Sequence, residues 1–133
     1  MGRRQVREQL FKLLFRIEFN EPEDMGEQEA LFFEEEIKLE EAERTEIEGK
    51  FDTIVENLTK IDAMLNEKTT GWTTDRMGKV DLTILRLAVY EITMDEQVPT
   101  SVAINEAVEL AKKYGGDESP AFINGVLAKF AKE

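Results

Sequence analysis

Three arginines within five residues, Arg3, Arg4 and Arg7 of "GRRQVREQLF", open a chain whose formal net charge is −12. A guanidinium is a planar fork that pairs with phosphate and stacks on bases. On a helix of about 100° per residue the three arginines fall on one side together with Phe11 and Phe15, rings on which bases of a single strand can stack. The plain alternative is a solvated helix start, and pattern alone favours it. Positive charge at a helix N-terminus is, however, mildly unfavourable against the dipole, which weighs toward a purpose. Three phosphate contacts to single-stranded RNA give a salt slope of only about −2, so binding by this face alone should be weak.

Other chemistry is sparse. The chain has no histidine and no cysteine. Thiol nucleophiles, thiolate zinc sites and the usual neutral-pH general base are therefore excluded. Carboxylate pairs such as Glu34–Glu35 and Asp117–Glu118 read as solvated faces, since no calcium loop surrounds them. "YGGDES" lacks the lysine and the preceding strand of a phosphate loop. No catalytic residue, metal site or cofactor is expected. Lys112 and Lys113, beside that turn, are candidates to extend a nucleic-acid surface, with simple solvation as the alternative. Arg86 lies inside an apolar helix and must be paired, with Glu91, Glu106 or a terminal carbonyl as candidates. Asn105 and Asn124 read as ties between helices, and Trp72 and Tyr90 as core contacts.

The elements that must position these groups are helices throughout. A first helix is expected from Arg3 to Phe19, with Val6, Leu10, Leu13, Leu14 and Ile17 as its apolar stripe, ending near Glu21–Pro22. A very acidic second helix is expected over Glu29–Arg44 and a third over Thr45–Asn66. "TTGWTTDRMGK" interrupts, with room for one or two helical turns. "VDLTILRLAVYEITM" is apolar nearly all round, marking a central buried helix with Asp81 as N-cap. "VPTSVAINEAVELAKKYGG" follows, capped by Thr100 or Ser101 and stopped by Gly115. In "SPAFINGVLAKF", Ser119 caps and Pro120 takes the first helical position.

Charge is uneven. Residues 1–20 carry five basic and two acidic side chains, whereas residues 21–50 carry three basic and thirteen acidic. Such a body repels polyanions outside a small footprint near the N-terminus and attracts a basic protein partner. No apolar run is long enough for a membrane span and no signal segment opens the chain, so a soluble cytoplasmic protein is expected.

"RRQVREQLFKLLF", "VDLTILRLAVYEI" and "VPTSVAINEAVELAKKYGGDESPAFINGVL" together resemble the NusB family of bacterial transcription antitermination factors, and the looser middle extends the likeness over the whole chain. The resemblance implies an all-α fold of about seven helices in two packed three-helix subbundles, one over residues 1–67 and one over 71–133. It implies binding of boxA-type single-stranded RNA together with NusE, a small-subunit ribosomal protein. RNA polymerase and other Nus factors join indirectly, so that terminators in ribosomal RNA operons are read through. By position, Arg3, Arg4, Arg7 and Phe15 fall on the RNA side, as do Asp117, Glu118, Ser119 and Phe122, with Lys112 close by. Phe15 and Asp81 fall where NusE is received. A carboxylate near RNA is chemically reasonable because it accepts from base amino groups. Gln5 stands where some relatives carry an arginine, which lowers the expected RNA affinity. Some members self-associate through the RNA-facing surface, and the sequence leaves a homodimer open. Two alternatives stand beside this reading: a protein-interaction bundle that never touches RNA, and a piece of a fused RNA methyltransferase, for which 133 residues leave no room. The RNA mechanism requires the arginines to stand outward without being neutralised by the protein's own carboxylates.

Overall fold

A computed structural model describes residues 2–35, 39–69, 71 and 73–131. Among the described residues there are seven α-helices and no strand, the all-α architecture expected. The first, α1 (Arg3–Phe15), buries Val6, Leu10, Leu13 and Leu14 at the spacing of one helical face, and Phe11 beside them. It starts at Gly2, whose backbone N–H donates to Gln5 Oε1 at 3.0 Å, satisfying one of the donors a helix start leaves open. The stretch up to Phe19 is not all α-helix: Arg16–Phe19 tightens into a 3₁₀ turn, closed by Asn20 Nδ2 donating to the Arg16 carbonyl at 2.9 Å.

The middle of the chain departs from the expected boundaries. The single acidic helix over Glu29–Arg44 is two elements, α2 (Met25–Glu35) and the first part of α3 (Glu41–Glu56). Residues 36–38, inside that span, lie outside the described residues, as does Trp72. Glu40 N–H donates to the Glu43 carboxylate at 3.0 Å, the kind of side-chain bond that starts a helix. The expected helix over Thr45–Asn66 breaks at Asn57, from which α4 (Leu58–Lys68) departs. Asparagine is a preferred cap type, but the apolar period runs through Ile54, Leu58 and Ile61 and masks the break.

Two compact units result, Met1–Val55 and Glu56–Glu133. In the first, Arg16 donates to Glu35 at 2.7 Å and lies 5.4 Å from the centre of the Phe32 ring, while Arg44 lies 4.8 Å from Phe33. These cation–π contacts link charge to the apolar faces of α2. In the second unit α5 (Lys79–Met94) is central, packed by α4, α6 (Thr100–Tyr114) and α7 (Ser119–Ala131). Leu82, Ile84, Leu85, Leu87, Ala88 and Val89 are all buried, as an all-round apolar helix requires. Ala103, Ala107 and Ala111 are buried along one side of α6, and their small size permits close helix approach. The sequence division at about residue 67 thus differs from the structural one. Helix α4 packs on α5 and α7, and its Asp62 takes Arg86 of α5 in a bidentate pair at 2.9 and 2.8 Å. The sequence pattern points to Glu91, Glu106 or a terminal carbonyl and not to Asp62, since nothing local marks a contact across 24 residues.

Several caps also differ. Helix α5 starts at Lys79 from Gly78, which leaves Asp81 in its first turn, where a negative charge suits the dipole. Pro99, rather than Thr100 or Ser101, precedes α6. Asn105 and Asn124 are exposed instead of tying helices, whereas Tyr90 is buried as expected.

Candidate nucleic-acid interface

The basic start and the turn after α6 lie in different units, and each has its own geometry. On α1, Arg3 and Arg4 are exposed and Arg7 is half-buried. Arg3 is not left to solvent. Its Nη1 and Nη2 reach both carboxylate oxygens of Glu46 on α3, at 2.7 and 2.5 Å. Lys50, one turn further along α3, holds the same carboxylate at 3.1 Å. The hydrogen bond from Arg3, with help from Lys50, outweighs partial burial and lowers the Glu46 pKa to about 2. The requirement that no carboxylate of the protein neutralise the arginines therefore fails at Arg3. The reason is that α3 runs an acidic face past the start of α1, a contact across 43 residues that no local pattern announces. Gln5, where the family resemblance has some relatives carrying an arginine, is occupied in the cap of α1.

The aromatic side is also rearranged. Phe11 is 3% exposed and belongs to the core, so it offers no stacking surface. Phe15 is half-buried, stacked on Phe11 with ring centres 6.1 Å apart. Phe19 meets Phe15 edge-on at 5.1 Å and is 60% exposed. The ring ladder thus surfaces at Phe19, one turn beyond Phe15. The i, i+4 spacing of the three phenylalanines was the available signal.

In the second unit Asp81, Asp117, Glu118, Ser119 and Phe122, assigned by resemblance to RNA or to NusE, share one recess, and Lys112 is not in its lining. Met77, Gly78, Asp81, Gly116, Asp117, Glu118, Ser119 and Phe122 line a cavity of about 540 Å³. Part of its lining comes from a tight turn. Ser119 Oγ accepts from Gly116 N–H at 3.1 Å, and a Cβ on Gly115 would sit 2.6 Å from the Ser119 side chain. Gly115 has φ −92°, an ordinary value, so close approach and not a left-handed cap is what demands glycine there. Asp117 and Glu118 are exposed, Phe122 is half-buried, and Asp81 Oδ1 is buried without a hydrogen-bond partner among the described residues. This arrangement of acceptors beside a ring suits a donor: an amino edge of a base, or the N–H or ammonium of a protein. Lys112 is exposed and pairs with Glu109 on its own helix at 3.0 Å. Among the described residues no group of three His, Cys, Asp or Glu side chains is placed to hold a metal ion. Nor is any helix among them long and apolar enough to cross a membrane.

Comparison with known proteins covers the whole chain. The family model described as the NusB family matches residues 4–132. The transcription antitermination protein NusB of Agathobacter rectalis is 54% identical over 131 residues, spanning 98% of this chain and 100% of that protein. Its counterpart in Lachnoclostridium phytofermentans is 50% identical over 129 residues, 97% of this chain and 98% of that one. Among solved structures, T. maritima NusB matches with a TM-score of 0.91 at 34% identity, covering 100% of this chain and 92% of that chain. A crystal structure of the antitermination factors NusB and NusE in complex with dsRNA matches at 0.86 and 27% identity, covering 98% and 96%.

Proposed function

The chain belongs to the NusB family, and from that membership we propose that it is a non-enzymatic transcription antitermination factor of the bacterial cytoplasm, binding boxA-type RNA together with NusE. The observation that carries the reading is the end-to-end likeness to a NusB solved with NusE and RNA. Arg3, Arg4 and Arg7 take the phosphates, with Phe15 and Phe19 as the adjoining rings, and Lys112 adds charge near the second site. The acceptor-lined recess of Asp81, Asp117, Glu118 and Phe122 supplies directed hydrogen bonds to the partner protein and to base amino groups. RNA polymerase and other Nus factors are reached through this complex, not by the chain alone. A small basic footprint on a strongly acidic body needs a second, basic protein to complete a stable RNA complex.

The test is binding of a single-stranded boxA-type RNA, with a duplex of the same sequence as competitor, by the chain alone and with a NusE homologue. Weak, salt-sensitive binding alone and clearly tighter binding with NusE is the expected result. Reversing Arg4 and Arg7 to glutamate together should weaken the ternary complex at least ten-fold. Unchanged binding of that double variant, or no RNA binding with NusE present, defeats the proposal and leaves a protein-interaction bundle.

A further inference from the structure

A carboxylate and a phosphate oxygen pair present the same face to a guanidinium fork, so each can take the other's place on an arginine. Glu46 already occupies both terminal nitrogens of Arg3. The two halves of this pair are unequally fixed. The Arg3 side chain is 68% exposed, whereas that of Glu46 is 27% exposed and also bound by Lys50. Arginine is thus the half that swings away, and when it does Glu46 keeps a cation at 3.1 Å and is not left as an uncompensated charge.

We propose that Glu46 is an intramolecular latch that occupies Arg3 in the free protein and surrenders it to an RNA phosphate, so that binding exchanges one anion for another on the same guanidinium. This rests on the RNA reading given above and adds its regulation. Because Arg3 and Lys50 keep Glu46 ionised down to about pH 2, the latch is set throughout the physiological range. Protonation therefore does not open it, whereas a competing anion does. Arg3 consequently contributes little net affinity, and the acidic face of α3 discounts weak or singly placed anions that reach the basic start.

The experiment compares wild type, Glu46→Gln, Arg3→Gln, the double variant and Glu48→Gln, each with NusE and a short single-stranded boxA-type RNA, from about 50 to 200 mM salt. Glu48 lies on the same helix and pairs with Arg44, so its variant removes an equal charge without touching Arg3. Glu46→Gln should tighten binding roughly two- to five-fold, the range expected when an exposed ion pair is released. Its salt slope should differ from that of wild type by less than about 0.7, the value of one phosphate contact on a single strand, because Arg3 meets a phosphate in both complexes. Arg3→Gln alone should change affinity less than about two-fold on the same reasoning, and the double variant should return to it. Equal gains from Glu46→Gln and Glu48→Gln, or no gain from either while wild type binds, overturn the latch and leave the RNA reading standing. Absence of binding by wild type overturns the RNA reading itself.

Discussion

Glu29 on α2 is held near Asp52 and Glu48 of α3, and its pKa is pushed up to about 7. Burial is the largest cause, followed by the Asp52 charge, a hydrogen bond with Asp52 and the Glu48 charge, against a smaller opposing pull from Arg44. Unfolded, the group titrates near 4.5. Between these values the native state binds more protons than the unfolded one, so this residue makes stability fall as pH rises from about 4.5 to about 7. Glu29→Gln should therefore be more stable than wild type at pH 8, by on the order of 1 kcal/mol once solvent screening of this partly exposed group is allowed for, with little difference near pH 4.5. Urea titrations at the two pH values check this, and an equal difference at both counts against the assignment. At this scale the sequence revealed residue types and helical sides but not depth or distant partners. The helical wheel put Phe11 beside the arginines, yet it is core, because angle round a helix says nothing of what covers it. Arg3 was legible as surface-facing, whereas Glu46 was not legible as its partner.

Among the elements, α5 was read most completely, because a helix that is apolar on nearly every side has only one place to go. Its single internal cation is fixed from α4 through Asp62, with side-chain exposures of 12% for Arg86 and 23% for Asp62. Asp62→Ala leaves a largely buried guanidinium short of its bidentate partner and should cost about 2–3 kcal/mol. Adding Arg86→Met to that change should recover most of the loss, since an apolar replacement removes the need for pairing. Chemical denaturation of the two variants decides the matter: a double variant as weak as the single one would mean that packing, not charge, dominates. Helix ends were read less well than helix bodies. Acidic, helix-forming sequence leads into the first middle break and an unbroken apolar period crosses the second, so tertiary contacts decide where each stretch turns. The break at Asn57 carried only a cap-type residue as its sign.

For the molecule as a whole, the helical class followed from composition and period and the count of about seven from the family resemblance, while the division into units followed from neither. Whether α4 joins the preceding or the following helices depends on pairs such as Asp62–Arg86, which lie far apart in sequence. The charge map was legible throughout: residues 21–50 carry thirteen acidic side chains against three basic ones. This field should speed encounter with a basic NusE homologue, and stopped-flow association should slow roughly ten-fold or more from low to high salt. A salt-independent rate would assign recognition to shape alone. The same map makes an added arginine look profitable at position 5, where charge is already positive. Yet Gln5 closes the first turn by accepting from Gly2, and an arginine has no oxygen with which to do so. Such a change would loosen the platform from which Arg3 and Arg4 are displayed, setting attraction against aim. Affinity in descendants of this chain is therefore not a simple count of their positive charges.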